Sequence, residues 1–182
     1  MLLALAYLVL AIVEMRACWI AAFISTAMYT VVFWDVSLLM ESALQVYYMA
    51  MAVYGWWYWQ RANDQVPIVR WRVRQHVTVI SMVIGLSVAS GALLDNYTSA
   101  ALPYLDAFTT WASIVTTWMV ARKVIENWLY WIVIDIASIY LYVARDLYVT
   151  AGLFVLYVVL ACVGYWQWTR RMQTDNLPSV AP

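Results

Sequence analysis

Seven apolar runs follow one another along this chain, and nearly every charged residue falls in the short stretches between them. The runs are Met1 to Val13, Ala17 to Trp34, Leu38 to Trp59, His76 to Leu94, Ala107 to Ala121, Asn127 to Val143 and Leu147 to Trp168. A hydrocarbon core about 30 Å thick is crossed by ~20 apolar residues in a helix, and backbone there must satisfy its own hydrogen bonds. The runs therefore predict an all-α membrane protein with seven transmembrane helices. Composition agrees, with 66% hydrophobic and 11% charged residues, against about 25% charged in a soluble domain. The first run is short, since thirteen residues cover about 20 Å; the expectation is that the true start lies upstream of Met1. No cleavable signal peptide is expected, because the run leads into Glu14 without a small-residue cleavage site.

The sixth run carries a carboxylate that a lipid-facing helix would not tolerate. At helical spacing Trp128, Trp131, Asp135, Ser138 and Tyr142 share one stripe, while the opposite face is Ile, Leu, Val and Ala. An acid at bilayer depth costs a few kcal/mol, so Asp135 is expected to face the bundle interior and to serve a function. The bland alternative is a carboxyl that only holds the bundle together, which leaves the two flanking indoles unexplained. A second stripe in the third run holds Glu41, Gln45, Tyr48, Gly55 and Trp59. Together the stripes offer an acid, an amide, phenols and indoles, which suits a flat, polar, cationic ring compound. For Gln45 alone, packing between helices explains the amide as well as a ligand does.

The arrangement of basic residues sets an expected orientation. If the stretch Gln60 to Gln75 is cytoplasmic, then Arg16, Arg122, Lys123, Arg170 and Arg171 fall on that same side, and only Arg145 lies outside. The N-terminus is then outside and the C-terminus cytoplasmic. The third run also matches the seventh at a constant offset, with Leu44, Val46, Tyr48, Ala52, Gly55, Trp57 and Trp59 set against Leu153, Val155, Tyr157, Ala161, Gly164, Trp166 and Trp168. The second run matches the sixth more weakly, with Glu14 and Trp19 set against Glu126 and Trp131. Three helices reverse the chain's direction, so the unpaired fourth run gives the second triplet the orientation of the first. The expected organisation is a first repeat over 1–59, a basic loop and linking helix over 60–104, a second repeat over 105–168 and a loosely ordered polar tail over 169–182. Transporters built from parallel repeats place substrate at the repeat interface near the midplane.

ALQVYYMAMAVYGWWYW (Ala43 to Trp59), ENWLYWIVID (Glu126 to Asp135) and LYVARDLYVTAGLFVLYVVLACVGYWQW (Leu141 to Trp168) resemble the PnuC-type (Pnu) vitamin transporters over nearly the whole chain. The resemblance implies a three-plus-one-plus-three bundle similar to the sugar-transporting SWEET proteins, usually trimeric. It also implies facilitated diffusion of nicotinamide riboside, or of thiamine or riboflavin in related branches, with phosphorylation by a cytoplasmic kinase trapping the substrate. The family's Trp-x-x-Trp-x-x-x-Asn ligand motif falls on Trp128, Trp131 and Asp135, so its last position departs from Asn; an acid can favour either cationic ring, pyridinium or thiazolium.

Other classes of function fit less well. An intramembrane enzyme would want a nucleophile beside a base, or a cluster of metal ligands, yet His76 is the only histidine. Cys18 and Cys162 have neither metal-like spacing nor a disulfide framework around them. The zero net charge, with basic residues scattered along loop edges, argues against nucleic acid. A non-transporting membrane scaffold leaves Asp135 and Gln45 without a reason. The expectation is a bacterial inner-membrane facilitator for nicotinamide riboside, with thiamine and then riboflavin as alternatives, no catalytic or metal site, no cofactor, a lipid bilayer around it, and substrate contacts from Trp128, Trp131, Asp135, Gln45, Tyr48, Tyr142 and Tyr157.

Overall fold

Where a helix can end is decided in this chain by residues other than glycine. Glu14, Lys123 and Asp146 adopt left-handed backbone, with φ of 56°, 52° and 58°, a conformation that costs a non-glycine residue of order 1 kcal/mol or more. After the first helix the Glu14 N–H donates to the Ala11 carbonyl at 3.1 Å and the Met15 N–H to Leu10 at 2.9 Å. Asp146 and Leu147 make the same pair of bonds to Val143 and Tyr142, at 3.1 and 2.9 Å. Both ends are Schellman closures, which satisfy the last carbonyls and turn the chain sharply.

A computed structural model describes residues 2–35, 39–60, 66–97 and 102–175. They form seven helices: α1 (Leu2–Ile12), α2 (Ala17–Asp35), α3 (Leu39–Gln60), α4 (Val73–Tyr97), α5 (Pro103–Ala121), α6 (Asn127–Val143) and α7 (Tyr148–Asp175). The expected all-α architecture is observed, and α6 has the bounds that its sequence predicts. Leu38, the expected start of the third span, lies outside the described residues, as do the side chain of Glu41 and all of Arg61. α4 begins earlier than predicted, because the Arg72 N–H donates to the Gln75 side-chain carbonyl at 2.9 Å and so caps a turn that its arginines make look like loop. Pro103 opens α5, where its missing N–H costs nothing. α4 and most of α7, Tyr148–Thr174, are long and apolar enough to cross a membrane; α1, Ala17–Val31 and α6 are shorter apolar helices.

The expectation of a loosely ordered tail from Thr169 is corrected, since helix continues to Asp175. The Arg170 guanidinium stacks on the Trp166 ring at 3.8 Å one turn back, and Arg171 reaches Glu14 at 3.1 Å. Thr169 and Thr174 return their hydroxyls to carbonyls four residues earlier. A polar sequence is thus held as helix by contacts that its composition does not announce.

The chain divides into two compact units. One contains α1 to α3, the turn Val120–Ile125 and the chain from Val163 onward. Its packing centres on Trp19, whose ring meets Trp59 edge-on at 5.5 Å and Tyr7 at 6.0 Å. Gly55 makes room for it, for a Cβ there would overlap the Trp19 indole. Lipid offers no hydrophobic drive for helices to associate, so close approach at small residues and buried hydrogen bonds carry the packing. The Val69 N–H donates to the Lys123 carbonyl, and the Ile125 N–H to Val69, at 3.0 and 2.9 Å.

The other unit contains Arg70–Met119 and Glu126–Cys162. Val83 of α4, Ala112 of α5 and Ile134 of α6 form its core, flanked by Val79, Phe108, Trp111, Val115 and Trp131. Gly91 lets α5 come close, since a Cβ there would meet the Tyr104 backbone at 3.0 Å. At one end Glu126 accepts from the Trp71 N–H at 3.2 Å and lies 3.7 Å from Arg70. At the other Arg145 pairs with Asp106 at 3.0 Å.

Candidate functional site

The polar stripe of α6 faces inward. Trp128, Asp135 and Ser138 are buried and Trp131 and Tyr142 half-buried, while Leu129, Val133, Ile136 and Tyr140, on the other side of the helix, are exposed. This is the face that helical periodicity assigned. Asp135 is 4% exposed, and among the described residues it makes no hydrogen bond or ion pair. A buried carboxylate left in that state costs several kcal/mol if charged, so it either holds its proton or awaits a cationic partner.

Trp131 is also part of the packing of this unit. Besides lying one turn before Asp135 on the stripe, its ring packs against the Val83, Ala112 and Ile134 core. Tyr142 and Tyr157 are brought together through Phe154, with centroid separations of 5.1 Å and 5.3 Å. Phe154 was missed by the sequence reading, although it stands one turn before Tyr157 on the same helix face. Gln45 and Tyr48 sit half-buried on α3 in the other unit, where Tyr48 meets the Tyr47 ring at 5.5 Å.

Two further buried hydroxyls were also missed. Ser87 of α4 and Thr116 of α5 lack hydrogen-bond partners among the described residues. Each lies four residues beyond a core position, Val83 and Ala112, so the period that marks the core face would have found them. His76 is engaged, its Nδ1 lying 2.9 Å from the Tyr130 hydroxyl. No group of three or more potential metal ligands occurs among the described residues.

Comparison with known proteins gives the same direction. The sequence profile described as "Nicotinamide mononucleotide transporter" matches residues 1–170. The nicotinamide riboside transporter PnuC of Escherichia coli is 21% identical over 173 residues, covering 80% of this chain and 72% of that protein. The riboflavin/roseoflavin transporter RibM of Streptomyces davaonensis is 28% identical over 142 residues, covering 74% of this chain and 66% of its own length. A crystal structure of the vitamin B3 transporter PnuC superposes with a TM-score of 0.71 at 24% identity, over 92% of this chain and 77% of that one, and shares the fold. These relatives are transporters, not enzymes. The chain belongs to the nicotinamide mononucleotide transporter family of multi-pass membrane proteins.

Proposed function

We propose that this protein is a facilitator for the uptake of nicotinamide riboside, with Asp135 as the counter-charge to the pyridinium ring. The single observation that carries the reading is the buried Asp135 carboxylate, without a hydrogen bond or ion pair among the described residues, one turn from Trp131 on the inward stripe of α6. A ring cation entering there gains a stacking face and a charge partner together, each strengthened by exclusion of water. Trp128, Tyr142 and Tyr157 complete the set from this unit. The two triplets work as parallel repeats joined by α4 and rock about the substrate, three copies assemble in the bacterial inner membrane, and a cytoplasmic kinase traps what enters. Net flux then follows the gradient without a coupling ion.

The similarity to RibM favours a second reading, riboflavin, whose neutral ring would use the indoles but not the acid. Thiamine, with its thiazolium, would use both. Calorimetry of purified protein against the three vitamins separates the readings. Nicotinamide riboside is expected to bind the parent and to lose affinity in Asp135→Leu. Tight riboflavin binding that survives Asp135→Leu, with no heat from nicotinamide riboside, would overturn the assignment.

A further inference from the structure

A buried ion pair joins two positions that the offset between the third and seventh runs sets against each other. Glu14 and Lys123 are 109 residues apart, the same offset that relates Trp59 to Trp168. Each follows the first helix of its triplet, each has left-handed backbone, and each donates its N–H to the carbonyl three residues back. The Lys123 Nζ lies 2.6 Å from a Glu14 carboxylate oxygen, with side chains 4% and 6% exposed. The same ammonium lies 4.7 Å from the centroid of the Trp59 ring.

The indoles of the two triplets are exchanged in the same way. Trp59, ending α3, donates its Nε1–H to the Ala121 carbonyl at the end of α5, at 3.0 Å. Trp168, on α7, donates to the Ala11 and Ile12 carbonyls at the end of α1, at 3.3 and 3.2 Å. Ile12 and Ala121 are again equivalent by the repeat offset. Each triplet therefore closes the end of the other's first helix, and the Glu14–Lys123 pair lies among these bonds.

From this geometry we infer that Glu14 and Lys123 are the latch of the cytoplasmic gate, holding the two triplets together when that end of the transport path is closed. The inference rests on the transport reading. A charge pair suits the task because its desolvation cost offsets most of its attraction, so closed-and-dry and open-and-hydrated states lie close in free energy. A purely apolar seam would favour closure alone. Arg171, half-exposed, holds the second Glu14 oxygen at 3.1 Å. Glu14 thus keeps a cationic partner on α7 when Lys123 departs, and the opening leaves no lone buried acid.

Cys18 supplies a native probe. It is fully buried one turn after Glu14, within reach of the Lys123 charge, and Cys162→Ser leaves it the sole cysteine of the chain. The full-length protein in liposomes, with the latch end accessible, is treated with a small water-soluble maleimide. Glu14→Gln strands the buried Lys123 ammonium and should speed Cys18 labelling by about tenfold or more; Lys123→Met, in which Glu14 keeps Arg171, should speed it less, and Glu14→Gln with Lys123→Met should fall back from the Glu14→Gln rate towards the parent rate. Calorimetric affinity for nicotinamide riboside should stay within about threefold, since neither residue lies on the binding stripe, while uptake falls because the gate no longer closes. If the single variants fail to fold, Trp168→Phe keeps the packing, removes the crossed N–H bond, and should speed labelling in its place. Unchanged Cys18 labelling in every folded variant overturns the latch, as does a double variant as reactive as Glu14→Gln. A parent that moves no vitamin while the labelling pattern holds defeats the substrate assignment and leaves the latch standing.

Discussion

Asp135 separates charge from shape at a single position. Asp135→Asn keeps the size and the hydrogen bonding of the side chain and removes the charge; Asp135→Leu removes both. For a ring cation the loss of a desolvated charge partner should weaken binding by roughly 1 to 3 kcal/mol, less in Asn than in Leu because the amide still offers a hydrogen bond. Trp131→Ala should weaken binding by about as much through the lost stacking face. Because the Trp131 ring also leans on the Val83 and Ile134 core, that variant should in addition melt earlier, so affinity must be measured on the folded fraction. Asp135→Asn leaves no cavity and should melt near the parent. If Asp135→Leu binds and transports like the parent, the acid is structural, and the ligand must be sought around Gln45 and Tyr48.

At the scale of the helix, two glycines make opposite demands. A Cβ at Gly55 would overlap the Trp19 indole, itself buried against Trp59 and Tyr7, whereas at Gly152 nothing lies within 4 Å. Gly55→Ala should therefore lower stability by about 1 to 3 kcal/mol, the usual result of overpacking. Gly152→Ala should be neutral or raise it by up to ~1 kcal/mol, because alanine favours helix. Equal melting temperatures for the two variants in detergent would show that α2 and α3 do not pack as closely as described. The Gly55 contact was legible as a small residue at helical spacing before Trp59, but the partner on α2 was not. Matching residues by kind aligned Glu14 with Glu126 and Trp19 with Trp131; the offset that relates the third run to the seventh instead sets Glu14 against Lys123 and Trp19 against Trp128. An opposite charge at an equivalent position carries no trace of identity, so only the shared backbone turn and the crossed indole bonds reveal it. The inward face of α6 was fully legible because its acid can tolerate only one environment. The last turns of α7 were not, since arginine and threonine read as loop until their partners are seen.

At the scale of the molecule, the basic residues of the unit that holds α1 to α3 collect at one end of its helices. Lys123 and Arg171 both meet Glu14 in the α1–α2 turn, the chain at Val69 bonds to the α5–α6 turn, and Trp168 reaches the end of α1. Arg16 and Arg122 follow the same helix ends, with Arg122 hydrogen-bonded to the Tyr54 hydroxyl at 3.2 Å. Arg145 stands apart beside Asp106 in the other unit. Positive charge is retained on the cytoplasmic side during insertion, so the Glu14 and Lys123 end should face the cytoplasm and the α6–α7 turn the outside. Single cysteines placed at Val66, Gln173 and Leu147 test this in intact cells when Cys162 is replaced by serine and Cys18 stays buried. Gln173→Cys and Val66→Cys should resist a membrane-impermeant maleimide until the cells are opened, and Leu147→Cys should react at once. Position 98, the natural reporter for the α4–α5 turn, lies outside the described residues, and the same orientation requires it to react from outside. Labelling of Gln173→Cys from outside would invert the protein. The latch would then close the outer mouth, and the basic α3–α4 connection would stand against the rule that orients other polytopic chains.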